Sequence, residues 1–216
     1  MSATAPRAAT FEAAISNGIA SLGYVWVGDP AEGRALLPSL DRIGTPAAQR
    51  VLDRTYLELQ QRDDDVDGHA LRRYWKGHYF RELSDDLIDI IVDGLRTQAM
   101  PPNVGLQAYG GAISEVPDAD SAFSQRDTAF ELVAAARWTD PDEDDTRIAS
   151  ARAYAATMDA HASGVYVNTL NDEGLAGVRR AYSADKLARL TALKDAYDPH
   201  NVFHLNQNIP PSGATT

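Results

Sequence analysis

Four short runs with strand-like composition constrain this chain most: Ile19–Gly28, Arg72–Phe80, Val104–Ser114 and Thr128–Trp138. The first two are dense in aromatic and β-branched residues, which suit a pleated, half-buried surface. The third is interrupted by Gly110-Gly111, and the alanines of the fourth leave a helix open as an alternative. Helix starts separate the runs. Asp29 precedes Pro30, Ser84 precedes Asp85-Asp86, and Asp140 precedes Pro141, each a capping residue at the positive end of a helix. Leu87, Ile88, Ile91, Val92 and Leu95 then recur at helical spacing. The spacing predicts further helices through ALLPSLDRI, from Pro46, over Tyr56–Gln61, and from Asp140 to about His161. Gly164–Leu170 reads as a short β-like piece, followed by helices at Glu173–Ala181 and Ala184–Ala196. The order lacks regular βαβ alternation and a glycine-rich phosphate loop. It predicts an α+β fold with a mostly antiparallel sheet, and places Tyr24–Val27, Tyr74–Tyr79, Gly105–Ile113 and Ala129–Trp138 in it.

The domain reading is a flexible segment at 1–18, an α+β domain at 19–163, a C-terminal segment at 164–211 and a tail at 212–216, Pro210 onward being frayed. With 216 residues, 44% hydrophobic and 24% charged, the chain is long enough for one real core. A net charge of -11 repels phosphate backbones and anionic lipid, so neither nucleic acid nor a membrane is expected as partner. Cysteine is absent, which excludes disulfides, thiolate metal sites and a thioether link to a cofactor. That absence, and a start without a secretory pattern, fit a cytoplasmic protein.

Metal and hydrolase signals are weak. Asp63, Asp65, Asp67 and Gly68 match half a calcium loop, but its twelfth position is Tyr74 rather than glutamate, so a solvated acidic turn is favoured. His200 and His204 lie beside Asp198-Pro199, outside any HExxH pattern. Gly110-Gly111 either admits a ligand ring close to the backbone or marks a bulge. Carboxamides at Asn201, Asn206, Gln207 and Asn208 crowd the C-terminus. Each offers a donor and an acceptor, which suits a flavin edge or, more plainly, a set of turns.

Those C-terminal residues resemble the signature of the berberine bridge enzyme-like family of FAD-linked oxidases. The matching string is Tyr166-Val167-Asn168, the acidic Asn171-Asp172-Glu173-Gly174, and Leu193-Lys194 through Tyr197-Asp198-Pro199 to Asn206-Gln207-Asn208-Ile209. Upstream, Tyr74-Trp75-Lys76, Gly110-Gly111-Ala112-Ile113, Ala122-Phe123 with Arg126, and Trp138 before an Asp-Pro start extend the likeness from about Tyr24 to Pro211. One departure is Gln125, where relatives usually carry histidine.

The resemblance implies a substrate domain whose antiparallel sheet is covered on one side by helices and faces FAD on the other. It implies hydride transfer from a substrate C–H bond to flavin, with oxygen as acceptor, on a small-molecule substrate. It implies Tyr166, Asn168, Asn206 and Asn208 near the cofactor, and Asn168 also in a catalytic role. Gln107 and Tyr109 share one face of a strand and are assigned to the substrate. Tyr109 is the candidate catalytic tyrosine, able to take a proton only if its pKa is lowered. The family's FAD-binding domain precedes the region matched, so this chain alone is expected to hold FAD weakly or not at all. It is also expected to expose its flavin-side face and to need a homodimer or a separate FAD-binding chain. The alternatives are a non-catalytic binding module, a truncated product unable to hold FAD, or an acidic α+β protein acting through protein contacts.

Overall fold

A computed structural model describes residues 5–62, 64 and 71–214. Strands β1 (Ala9–Ser16) and β2 (Ile19–Trp26) lead into helices α1 (Pro30–Arg34), α2 (Leu37–Asp41) and α3 (Tyr56–Gln60). Strand β3 (Arg72–Phe80), helix α4 (Asp85–Thr97) and strand β4 (Asn103–Ala108) follow, then the short α5 (Ala112–Glu115) and strand β5 (Phe130–Trp138). Helices α6 (Asp144–Ala156), α7 (Gly174–Ala181) and α8 (Ala184–Tyr197) complete the chain. The strands form one sheet in the order β2-β1-β4-β5-β3 with every pair antiparallel. The fold is α+β, as the alternation of strand runs and capped helices implies.

Paired residues share a face of a sheet, so the register sorts the side chains. Phe80, Leu132, Ala134 and Val104 point to one face and pack against Leu87 and Ile91 of α4 and Tyr154 of α6. Ser84 caps α4 by accepting from the Leu87 amide at 3.3 Å, and Asp85 and Asp86 occupy its first turn. The Trp138 indole donates to Asp144 at 2.7 Å, fixing the end of β5 to the start of α6. Helices thus cover this face, and the opposite face carries the candidate site.

Several expectations need correction. Within the segment at 1–18, Ala9–Ser16 are not loose: β1 pairs with β2 on one side and with β4 on the other. Its alternation of Phe11, Ala13 and Ile15 with Thr10, Glu12 and Ala14 is muted by alanine on both faces. The strand expected over Gly105–Ile113 stops at Ala108, because Gly111 takes a φ of +54° and turns the chain into α5. No helix opens at Pro46; the next one begins at Tyr56 behind a Thr55–Glu58 capping box. The Asp140 helix starts as a 3₁₀ turn at Pro141–Glu143 and ends at Ala156, short of His161. Gly164–Leu170 is no strand: Gly164 makes one bridge to Tyr79, and Val167–Thr169 form a 3₁₀ turn. The C-terminal end is also anchored, with Pro211 buried and the Ser212 amide donating to Asp195 at 2.7 Å. Of the calcium-like stretch, only Asp64 lies within the described residues.

Candidate functional site

Two rows of side chains cross the open face. One runs Gly23, Glu12, Gln107, Glu131 and Tyr79, through successive pairings of all five strands. The next runs Ser21, Ala14, Gly105, Val133 and Gly77. The second row is a floor of small residues over β2, β1 and β4. A Cβ placed on Gly105 would meet nothing within 4 Å. Neither row carries a lysine or arginine.

The C-terminal segment closes one end of this face. The Tyr79 amide donates to the Gly164 carbonyl at 2.8 Å, and the chain then crosses over Gly77. A Cβ on Gly77 would sit 2.2 Å from the Thr169 hydroxyl oxygen, so glycine is needed for this approach. The segment wraps round the β3 edge to the helix side. There Glu173 pairs with Lys76 at 2.8 Å and with Arg180 at 2.5 Å. Asp172 accepts from the Tyr74 hydroxyl at 2.7 Å and also pairs with Arg152. The Tyr74 hydroxyl is pushed up to about 12 by burial and by that carboxylate. The acidic Asn171–Gly174 loop is therefore a clamp.

Glu131 occupies the middle of the polar row and is 6% exposed. Tyr109 donates its hydroxyl to Glu131 Oε2 at 2.6 Å, and its ring meets Tyr79 edge-on at 5.6 Å. Oε1 is buried with no hydrogen-bond partner. Burial raises the Glu131 carboxyl above the ordinary range, opposed by the Tyr109 hydroxyl and by Thr169. The Thr169 hydroxyl gives its own hydrogen bond to the Tyr166 carbonyl at 2.9 Å. Burial and the carboxylate together push Tyr109 strongly upward. The lowered pKa on which a base role for Tyr109 depends is therefore not met; Tyr109 is a donor to Glu131.

Of the residues singled out from the sequence, Gln107 is exposed on the open face, in register with Glu12 and Glu131. Asn168 donates to the Tyr166 hydroxyl at 2.7 Å, and the Tyr166 ring lies 5.9 Å from that of Phe123. Asn206 and Asn208 line a separate hollow of about 290 Å³ together with Asn201, Leu175 and Val178. The Oδ1 atoms of Asn201 and Asn208 are buried there without partners. Gln207 joins this tail to the crossing segment by donating to the Leu170 carbonyl at 3.1 Å.

Gln125, the departure from the histidine pattern, holds a structural position. Its Nε2 donates to the carbonyls of Arg180 at 2.6 Å and Ala181 at 3.1 Å, capping the end of α7, and its side chain fills the space over Gly164. Sequence reasoning missed Glu131, Thr169 and Glu12. The available signal was Glu131 itself, a lone carboxylate inside the apolar run Phe130–Ala136.

The family described as berberine and berberine-like matches residues 165–210. An uncharacterized FAD-linked oxidoreductase of Bacillus subtilis (strain 168), YvdP, is 30% identical over 208 residues, which cover 91% of this chain and 45% of that protein. The aclacinomycin-N/aclacinomycin-A oxidase of Streptomyces galilaeus is 30% identical over 128 residues, 51% of this chain and 24% of that one. The solved structure of Physcomitrella patens BBE-like 1 superposes with a TM-score of 0.80 at 21% identity, covering 95% of this chain and 48% of its own. The chain thus spans about half the length of these relatives or less.

Proposed function

We propose, for a chain that belongs to the berberine bridge enzyme-like family of FAD-linked oxidoreductases, that its open sheet face is the substrate-binding side of an oxidation site. The observation that carries this reading is the Glu131–Tyr109 couple standing beside a flat floor of Ser21, Ala14 and Gly105. A planar ring needs such a floor, and the open space over Gly105 fits one. When bound, FAD would accept a hydride from a substrate C–H bond, with molecular oxygen as the final acceptor.

The chain's own residues would orient and enclose. Gln107 and Tyr109 would contact a small-molecule substrate, Gln107 through its amide and Tyr109 through its ring. Tyr166 and Asn168, mutually hydrogen bonded, would bear on the cofactor from the C-terminal segment. Asn168 would act in catalysis by positioning. Asn206 and Asn208 would hold the cofactor through their carboxamides, two of the hollow's amide oxygens being unpaired. With two carboxylates and no cation in these rows, the pyrophosphate would have to be held by the part of the relatives' length that this chain does not span. The 216-residue chain alone would therefore bind FAD weakly or not at all, and would act with an FAD-binding partner chain or domain.

The test is anaerobic mixing of the chain, assembled with its FAD-binding partner chain or domain and loaded with FAD, with a panel of alcohols, sugars, amines and phenols. Bleaching of the flavin band by at least one class supports the reading. A protein that carries stoichiometric flavin, is reducible by dithionite, and stays oxidised with all of them would sink it.

A further inference from the structure

We propose that the hollow between the loop at 114–127 and the start of α8 binds a small carboxylate with an apolar body. Binding here needs neither FAD nor an oxidisable substrate. The hollow has a volume of about 400 Å³, within the range of small-molecule pockets. Val116 and Pro117 give it an apolar wall, and Ser124, Arg126 and Ser183 bring polar groups to it. Two of these residues carry a buried polar atom without a partner. Ser124 is 7% exposed and its hydroxyl makes no hydrogen bond, and Arg126 Nε is unpaired as well. Buried polar atoms left unpaired cost stability and are uncommon. A water molecule could satisfy the hydroxyl, but it would leave the charge of Arg126 unanswered.

The charge balance of the hollow selects an anion. Two carboxylates line it, and each already has its cation. Asp118 pairs with Lys186 at 2.7 Å and accepts from the Gln125 amide at 2.8 Å. Asp127 pairs with Arg81 at 2.6 Å. Arg126 makes no ion pair among the described residues. One positive charge is therefore left over, in a chain whose net charge is -11.

That charge is held in place. Arg126 donates to the Ile113 carbonyl at 2.8 Å and to the Ser121 hydroxyl at 2.7 Å, and its guanidinium lies 5.0 Å from the centre of the Phe123 ring. These contacts fix the guanidinium and leave Nε as the spare donor. Ser183 caps α8, so the positive end of that helix borders the hollow, with Asp185 in the first turn offsetting part of it. A monoanion suits this setting better than phosphate, because Asp118 and Asp127 would repel a second negative charge. The apolar wall favours a ligand that brings hydrocarbon with its carboxylate.

The experiment titrates the ¹⁵N-labelled 216-residue chain with benzoate, with benzamide as the uncharged isostere and with inorganic phosphate. Benzoate should give saturable shifts at the Ser124 and Ser183 amides and at the Arg126 Nε–H, with a Kd below about 10 mM. Benzamide should give none, and phosphate should bind at least about ten-fold more weakly. Ser124→Ala should weaken benzoate by about ten-fold, the worth of a hydrogen bond to a charged group. Without benzoate, its denaturation midpoint should match or exceed that of the wild type, since an unpaired hydroxyl is removed. Arg126→Gln should abolish the shifts. If that variant fails to fold for want of the Ile113 and Ser121 contacts, Ser124→Ala and the benzamide arm decide the matter. Absence of saturable shifts, equal shifts with benzamide, phosphate binding as tightly as benzoate, or unchanged benzoate affinity in Ser124→Ala would each overturn the proposal.

Discussion

Arg180 donates to Nδ1 of the buried His78 at 3.0 Å, and Nε2 of the same ring meets the Ala155 carbonyl, also at 3.0 Å. Because guanidinium has no acceptor, Nδ1 must be bare and Nε2 must carry the hydrogen. One neutral tautomer thus joins α7, β3 and α6, and the C-terminal segment is seated partly through it.

That tautomer predicts an acid-sensitive fold. Burial, then the Arg180 charge, hold His78 below its usual pKa of about 6.5, opposed by the Ala155 carbonyl and by Asp159 and Glu173. The unfolded chain takes the proton first as pH falls, so the stability His78 contributes is full above about 6.5 and lost on descending through its depressed value. The melting temperature of the wild type should drop more steeply between pH 7 and pH 5 than that of His78→Gln. Parallel curves would remove His78 as the cause.

Gly77 and Gly105 lie in one cross-strand row with opposite surroundings. Gly77→Ala drives a methyl into Thr169 and should cost about 1–3 kcal/mol by overpacking, read as a lowered denaturation midpoint. Gly105→Ala should leave that midpoint within about 0.5 kcal/mol. Its effect should fall on the affinity of the FAD-assembled protein for FAD or substrate. Equal stability losses at both positions would contradict the open floor.

Gln125→Ala leaves the Arg180 and Ala181 carbonyls unpaired and empties the space beside Gly164. A loss of about 1–2 kcal/mol is expected. Hydrogen exchange should quicken at 164–181 more than in β4 and β5, and uniform quickening would show that Gln125 does not act on this junction.

Asn168→Ala in the FAD-loaded protein should slow single-turnover flavin reduction by about ten- to a hundred-fold, through poorer positioning. The Tyr166 hydroxyl loses its donor in this variant. An unchanged rate would take Asn168 out of the site.

Much of this fold is legible in the sequence where local chemistry agrees with tertiary demand. Arg72–Phe80 reads as a strand because its aromatics are buried along one edge, and Ser84 caps a helix whose apolar stripe meets the sheet. Strand β1 is not legible, because alanine and threonine give too little contrast between faces and its pairing with β4 is nearly a hundred residues away in sequence. Gly110-Gly111 reads as a flaw within a strand, yet Gly111 adopts a left-handed turn that ends it. Of the residues proposed for the site, Gln107 and Tyr109 are legible from alternation, and Tyr166 and Asn168 from family likeness. Glu131 is not, since its meaning comes from a hydroxyl 22 residues away and from register across three strands.

The junction of β1 with β4 has a consequence for how the molecule assembles and breathes. β1 and β2 are joined through Asn17-Gly18, both at positive φ, and are registered along their whole length. β1 pairs with β4 over Glu12–Ile15, and the Ser16 hydroxyl donates to Asn103 Oδ1 at 2.7 Å beside that stretch. Such a hairpin can form within about 1–10 μs, whereas its docking must wait for closure of a long intervening loop. The β1–β4 seam is therefore expected to be the last to zip and the first to part. Ser21 and Ala14 stand on one side of that seam and Gly105 on the other, so any parting of the seam would widen the ring-sized floor.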